Sequence, residues 1–203
     1  MSNRKRLEKL VTIILYWFMT SKTHEAGAFG ALLTGYAYLR PTMSLVTIVT
    51  ALIANLVGSL LPDIDQNSNR LWDMIPGGNF IGKYMKKVFL GHRSLSHSLL
   101  GMFLVYEGSV WLIPKLFNHD FVNTGIVILA LLIGYGSHLL LDSLTEEGLP
   151  LLFPLKYKFG FPPFKKLRMR TGHFMEKWIV FPLLVLYSIG LSGWLVKIKL
   201  KLY

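Results

Sequence analysis

Four stretches of the chain stay apolar for close to a membrane thickness: Met43 to Leu61, Leu95 to Phe117, Phe121 to Leu141 and Trp178 to Val196. At about 1.5 Å of rise per residue, helices of these lengths cross, or nearly cross, a hydrocarbon core of about 30 Å. The runs are too long and too little interrupted to be the apolar stripe of a soluble amphipathic helix. A shorter stretch, Ala26 to Leu39, carries Gly27, Ala28, Gly30, Ala31 and Gly35, the kind of small-residue surface on which membrane helices approach closely. Arg40 and Pro41 then predict a hairpin into the next run. The first apolar stretch, Leu10 to Met19, follows the basic "RKRLEK" and has the outline of a signal peptide. An interfacial or short tilted helix is the expected form, because cleavage near Ala26 to Ala28 would discard His24, which belongs with the polar residues below. The pattern predicts an all-α, polytopic integral membrane bundle of about four to six apolar helices, with residues 1–203 forming a single domain.

Composition agrees: 52% of the 203 residues are hydrophobic and only 16% are charged, giving a mean hydropathy of +0.45. There is no cysteine, which excludes disulfides, thiolate metal sites and a cysteine nucleophile, so any metal must be held by His, Asp, Glu or water. The net charge of +11 sits in loops beside apolar runs, not along a helix face that would read DNA. Anionic lipid headgroups are therefore the expected partners of the basic loops, and nucleic acid is not.

Threading the runs across a membrane brings the polar clusters to one side. His24 and Glu25 precede the first crossing and Asp63 and Asp65 follow the second; His92 to His97 precede the third, and His138 with Asp142 close the fourth. Of the 22 Lys and Arg, only Arg40, Lys115, Lys197, Lys199 and Lys201 fall on the other side. The excess of basic residues predicts that the polar face is cytoplasmic. The basic C-terminal tail runs against that assignment.

"SHLLLD" sets His138 and Asp142 four apart on one helix face, where they can grip one metal ion or form an ordinary hydrogen-bonded pair. "LPDIDQ" presents Asp63 and Asp65; in an extended turn both point to the same side and face one cation, or one binds metal while the other acts on water. A helix stop with solvated acids is the plainer alternative. In "HRSLSHS", His92 and His97 are five apart, so a helix starting near Ser96 leaves His92 in the incoming loop, from which it can fold back. Arg93 offers a fixed cation to phosphate or carboxylate, or reaches a headgroup. His24 is expected at a helix entrance, while His119 and His173 stand outside the cluster. His24, His92, His97 and His138 with Asp63, Asp65 and Asp142 thus converge from four segments, as a hydrolytic metal site requires.

These motifs, in this order, resemble the YdjM-like family of bacterial inner-membrane proteins, described as LexA-regulated or membrane-bound metal-dependent hydrolases. The likeness runs from "THEAGAFGALL" through "GSLLPDID", "GHRSLSHS" and "GYGSHLLLDSLTEEGLPLLFP" to "RMRTGHFMEKWI". It implies that His24, Asp63, Asp65, His92, His97, His138 and Asp142 form the polar centre, that "RTG" with Glu176 closes it, and that Thr145, Gly148 and Pro154 make the turn after the H-x-x-x-D helix. Gln66 stands where a histidine often follows "LPDID", which puts any ligand role at position 66 in doubt, and Glu146 stands where a proline is common. More remotely, the family is similar to the zinc-dependent phospholipase C and nuclease superfamily, which implies phosphoester hydrolysis.

The expectation is an inner-membrane hydrolase holding about one to three divalent ions, zinc foremost, that cleaves a phosphoester and fits a phospholipid best. Asp65, His92 and Glu176 are its candidate catalytic groups and Arg93 its candidate substrate contact, while Arg168 and Arg170 are expected to meet headgroups. The same cluster also fits two other classes: a transporter or ion-conducting protein with a His/Asp cation path, and a non-catalytic adaptor pinned by metal.

Overall fold

The chain opens on one continuous helix, α1, Asn3–Leu39. The computed structural model describes residues 3–66, 70–73, 78, 94–155 and 157–201. No Pro or Gly interrupts the sequence before Gly27, so nothing breaks the hydrogen-bond ladder where a separate short helix was expected over Leu10 to Met19. His24 accordingly sits within a helix and not at the entrance of one. Arg40, at φ 45°, turns the chain out of α1, and the expected hairpin leads into α2, Leu45–Leu60.

Each of the next long helices starts on a side-chain cap, which satisfies an orphan N–H that lipid cannot solvate. Ser44 caps α2 by accepting from the Thr47 N–H at 3.1 Å. Ser98 caps α4, Leu99–Leu116, by accepting from Gly101 at 3.0 Å, and Asn123 caps α5, Thr124–Ser143, by accepting from Ile126 at 3.2 Å. Between α2 and α4 lie a 3-10 turn at Pro62–Asp65, the short α3, Arg70–Asp73, and a second 3-10 turn at Leu95–His97. A π-helical turn, Glu176–Val180, leads into α6, Phe181–Lys201.

Among the described residues, Leu99–Leu116, Thr124–Ser143 and Glu176–Ile198 are long and apolar enough to cross a membrane, and α2 is apolar but shorter. That is fewer full-length apolar spans than the hydrophobic runs predicted, because the Ser44 cap and Pro62 trim α2. Large apolar side chains on α4 (Phe103, Leu104, Trp111) and α6 (Leu183, Leu186, Ile189) face outward, an arrangement suited to lipid and not to water.

Helix α5 is the hub, packing against α1, α2 and α4. Its Val127 and Tyr135 are almost wholly buried. The α2–α5 contact is close enough to need glycine on both helices. A Cβ on Gly58 would strike the Leu131 backbone, and a Cβ on Gly134 would strike the Asn55 carbonyl and lie 2.9 Å from the Ser59 nitrogen. This small-residue packing brings the last turn of α2 against the last two turns of α5, and so places the site.

After α5 the chain is folded back by backbone pairs. Glu146 donates to Met169 at 2.9 Å, Leu149 and Phe159 exchange bonds at 2.7 Å each, and Phe161 donates to Ser143 at 2.8 Å. Gly148, at φ 63°, supplies the left-handed residue that this turn demands.

Candidate metal centre

Ser59 lies in the last turn of α2, where carbonyls run out of helical N–H partners. The close α2–α5 packing brings this carbonyl to His138, whose Nδ1 lies 2.7 Å away. A carbonyl only accepts, so the proton is fixed on Nδ1 and, in the neutral ring, Nε2 keeps its lone pair. That Nε2 is buried with no hydrogen-bond partner among the described residues. It faces Asp63 Oδ1 and Asp142 Oδ2, both at 3.9 Å. A lone pair and two carboxylate oxygens repel in a dry site unless a cation, proton or metal lies among them.

His97 is fixed in a parallel way. The Ser96 hydroxyl donates to Asp65 Oδ2 at 3.3 Å and lies 3.1 Å from His97 Nδ1. Its single proton is used on Asp65, so His97 Nδ1–H is the donor in the second contact. Nε2 then points at Asp63 Oδ1, 3.4 Å away, and Asp142 Oδ2, 3.5 Å away. Tyr135, one turn before His138, donates its hydroxyl to the Ser96 carbonyl and holds the whole 3-10 turn in place. From α1, His24 Nε2 approaches Asp142 Oδ1 to 3.4 Å, and its ring stacks on His138 with centroids 3.8 Å apart.

Five side chains from four segments therefore form two overlapping groups that can hold a metal ion: His24, His138 and Asp142, and Asp63, His97 and His138. Within each group the donor atoms lie within 4.8 Å of one another. His97, His138 and Asp142 are almost completely buried, whereas the Asp63 side chain is 26% exposed, so the centre opens at Asp63. Burial alone would push the Asp63 carboxyl up. The electrostatic pull of the surrounding His138, His97 and His24 rings outweighs that and holds it below the ordinary carboxylate range. Asp63 thus stays an anion in neutral solution.

Asp65 joins neither group. The sequence allowed an extended turn with Asp63 and Asp65 on one side, but Pro62 starts a 3-10 turn instead, and at three residues per turn positions two apart diverge. Asp65, 1% exposed, supports His97 through Ser96. The helix expected to start near Ser96 starts at Leu99, leaving His97 in the preceding turn. Glu176 is buried beside the cluster, accepting from the Gly172 N–H at 2.5 Å. With His24, Asp142, Thr23 and Thr171 it lines a cavity of about 20 Å³. His92 and Arg93 lie outside the described residues. His119, near Thr124 Oγ1, and His173, exposed, stand apart from the centre. Arg168, expected at headgroups, donates to the Pro162 and Pro163 carbonyls at 2.7 and 3.0 Å, and Arg170 pairs with Glu146 at 3.0 Å.

Sequence reasoning missed the Ser59 carbonyl, Ser96 and Tyr135, all of which orient histidines. The one available signal was Ser96 beside His97. Outer partners of this kind are worth about 10–100-fold in metal affinity. Ser96→Ala should weaken divalent-metal binding by that factor, read by competition against a chromophoric chelator; unchanged affinity would refute the Asp65–Ser96–His97 relay.

Fold and site together define a helical membrane protein with a buried His/Asp cluster compatible with metal binding. The model of the YdjM inner membrane protein family matches residues 19–198, and the chain belongs to that family. It is similar to the uncharacterized protein YvsG of Bacillus subtilis, 31% identical over 162 residues, which covers 80% of this chain and 88% of that protein. The inner membrane protein YdjM of Escherichia coli is 32% identical over 126 residues, 62% of this chain and 59% of that protein. No solved structure matches.

Proposed function

We propose that this protein is a divalent-metal-dependent hydrolase of the bacterial inner membrane, acting at the cytoplasmic face on a phosphoester, with phospholipid the favoured substrate class. The observation that carries the reading is His138, whose Nδ1 is committed to a carbonyl while its buried Nε2 faces two carboxylates. A mixed imidazole and carboxylate donor set without thiolate fits zinc. His24, His97, His138, Asp63 and Asp142 would hold the ion, which would supply Lewis-acid activation of water and of an ester oxygen. Asp63, at the open edge, is where a substrate would meet the centre. Glu176 is placed to accept a proton from a water in the adjacent cavity of about 20 Å³, a volume sufficient for one water. Asp65 orients His97 and does not itself act on substrate. The remote likeness to zinc-dependent phospholipases supports the choice of phosphoester.

The test is reconstitution. Protein purified without chelator should contain stoichiometric divalent metal, and in lipid nanodiscs it should release water-soluble headgroup or phosphate, an activity lost on chelation and restored by zinc. Protein that binds no metal, or that is equally active without it, would sink the proposal. Near-complete burial of His97 and His138 favours a second reading, a closed structural metal that pins helices. Full metal occupancy with no exchangeable water on the ion would support that reading.

Imidazole binds metal only as the neutral ring, whereas Asp63, already held below the ordinary range, is ionised throughout the neutral region. Metal affinity should therefore rise with pH and fall as the imidazoles protonate. A metal-binding titration between about pH 5 and 8, the range in which histidine charge changes, checks this; a flat profile would contradict imidazole ligation. Orientation is checked separately: an alkaline phosphatase fusion in the connection between Ser143 and Met175 should be inactive, and an active fusion would place the site face outside.

A further inference from the structure

The connection between α5 and α6 carries an apolar, positively charged surface that the hydrolase reading does not use. Tyr157, Phe161, Phe164 and Leu167 are 66–73% exposed, and Lys158, Lys165 and Lys166 beside them are exposed as well. From Gly148 to Met175 there is no Asp or Glu. Aromatic and leucine side chains left this open in water would form a patch that soluble surfaces avoid.

The segment is nonetheless held in a defined shape. The Leu149–Phe159 pair and the Phe161 bond to Ser143 fix its base, and Arg168 braces the Pro162 and Pro163 carbonyls. These contacts fix backbone and leave the apolar tips outward. Both ends of the segment are tied to membrane helices at the site face, since α5 ends just past Asp142 and the Glu176–Ile198 span begins just beyond it. One more tie, from the Leu99 N–H to the Leu151 carbonyl at 3.0 Å, fastens the connection to the start of α4, next to His97. Apolar tips, interleaved lysines, no acids and a position level with the membrane surface are what an interfacial anchor needs.

We propose that residues 157–168 form a preshaped lip that inserts Tyr157, Phe161, Phe164 and Leu167 into the boundary between headgroups and acyl chains, with Lys158, Lys165 and Lys166 against anionic headgroups. Its partner is an anionic lipid surface. Through the Phe161 bond to Ser143, next in the chain to Asp142, the lip lies on the side of the molecule that carries the His/Asp centre. This stands whether or not the cluster hydrolyses anything.

The absence of native cysteine makes the test direct. Phe164→Cys and, separately, Tyr157→Cys are spin-labelled in full-length protein reconstituted into vesicles of phosphatidylethanolamine with or without phosphatidylglycerol. Asp120→Cys, on the exposed α4–α5 connection, serves as the aqueous reference. Labels at 164 and 157 should be more accessible to oxygen than to a water-soluble nickel chelate, the reverse of position 120, and should lie deeper when phosphatidylglycerol is present. Lys165→Gln with Lys166→Gln should remove that dependence on anionic lipid while the spans remain folded by circular dichroism. Chelate accessibility at both 164 and 157 equal to that at 120 would overturn the proposal, as would a depth at both that ignores anionic lipid in the wild-type lysine background.

Discussion

Asp142→Ala protein, purified in parallel with wild type, should emerge without bound divalent metal while keeping its helical content. The expectation rests on one carboxylate serving three imidazoles: Asp142 lies 3.4 Å from His24 Nε2, 3.5 Å from His97 Nε2 and 3.9 Å from His138 Nε2. No other residue of the two groups touches all three. Removing it takes a ligand from the His24–His138–Asp142 group and deletes one of the two anions that offset a divalent charge in a dry site. The loss should exceed the about 10–100-fold that supporting residues are worth. The helix itself has little reason to unfold, because α5 is held by Val127, Tyr135 and Leu139, which pack elsewhere along it. Metal per protein by elemental mass spectrometry, with circular dichroism on the same sample, reads both halves. Wild-type metal content in folded Asp142→Ala would show that the cluster is not the metal site.

Much of this arrangement is legible in the sequence. Hydropathy located α2, α4, α5 and α6 because lipid leaves the backbone no choice but helix. Threading those runs brought His24, Asp63, His97, His138 and Asp142 to one side. The misses have physical causes. The continuity of α1 through His24 depends on nothing interrupting the ladder, whereas hydropathy registers only where apolar character fades. The divergence of Asp63 and Asp65 depends on Pro62 starting a 3-10 turn, and two aspartates two apart read the same way in either conformation. The groups that lock the imidazoles are a main-chain carbonyl on α2 and a serine next to His97. A carbonyl has no residue signature, and it matters here only because two helices approach within glycine distance.

That approach makes Gly134 the residue on which fold and site depend together. Any side chain there meets the Asn55 carbonyl and the Ser59 nitrogen, both backbone, so no rotamer change relieves the clash and α2 must move away from α5. Overpacking of this kind costs typically about 1–3 kcal/mol, and the upper end is expected for Gly134→Val because Gly58 presses on the Leu131 backbone from the opposite helix. The same displacement draws the Ser59 carbonyl off His138 Nδ1, a 2.7 Å contact, and frees the ring to change tautomer. Gly134→Val should therefore lose stability and metal affinity together, although position 134 binds nothing. Gly108→Ala and Gly190→Ala are the controls: their added Cβ atoms meet nothing within 4 Å, and replacing an exposed helical glycine is neutral or favourable by up to about 1 kcal/mol. Reversible unfolding in mixed micelles, with metal affinity measured on each variant, separates the cases. A Gly134→Val protein that is destabilised yet binds metal as tightly as wild type would show that the α2–α5 contact supports the fold alone, and that something other than the Ser59 carbonyl holds His138 for its ligand.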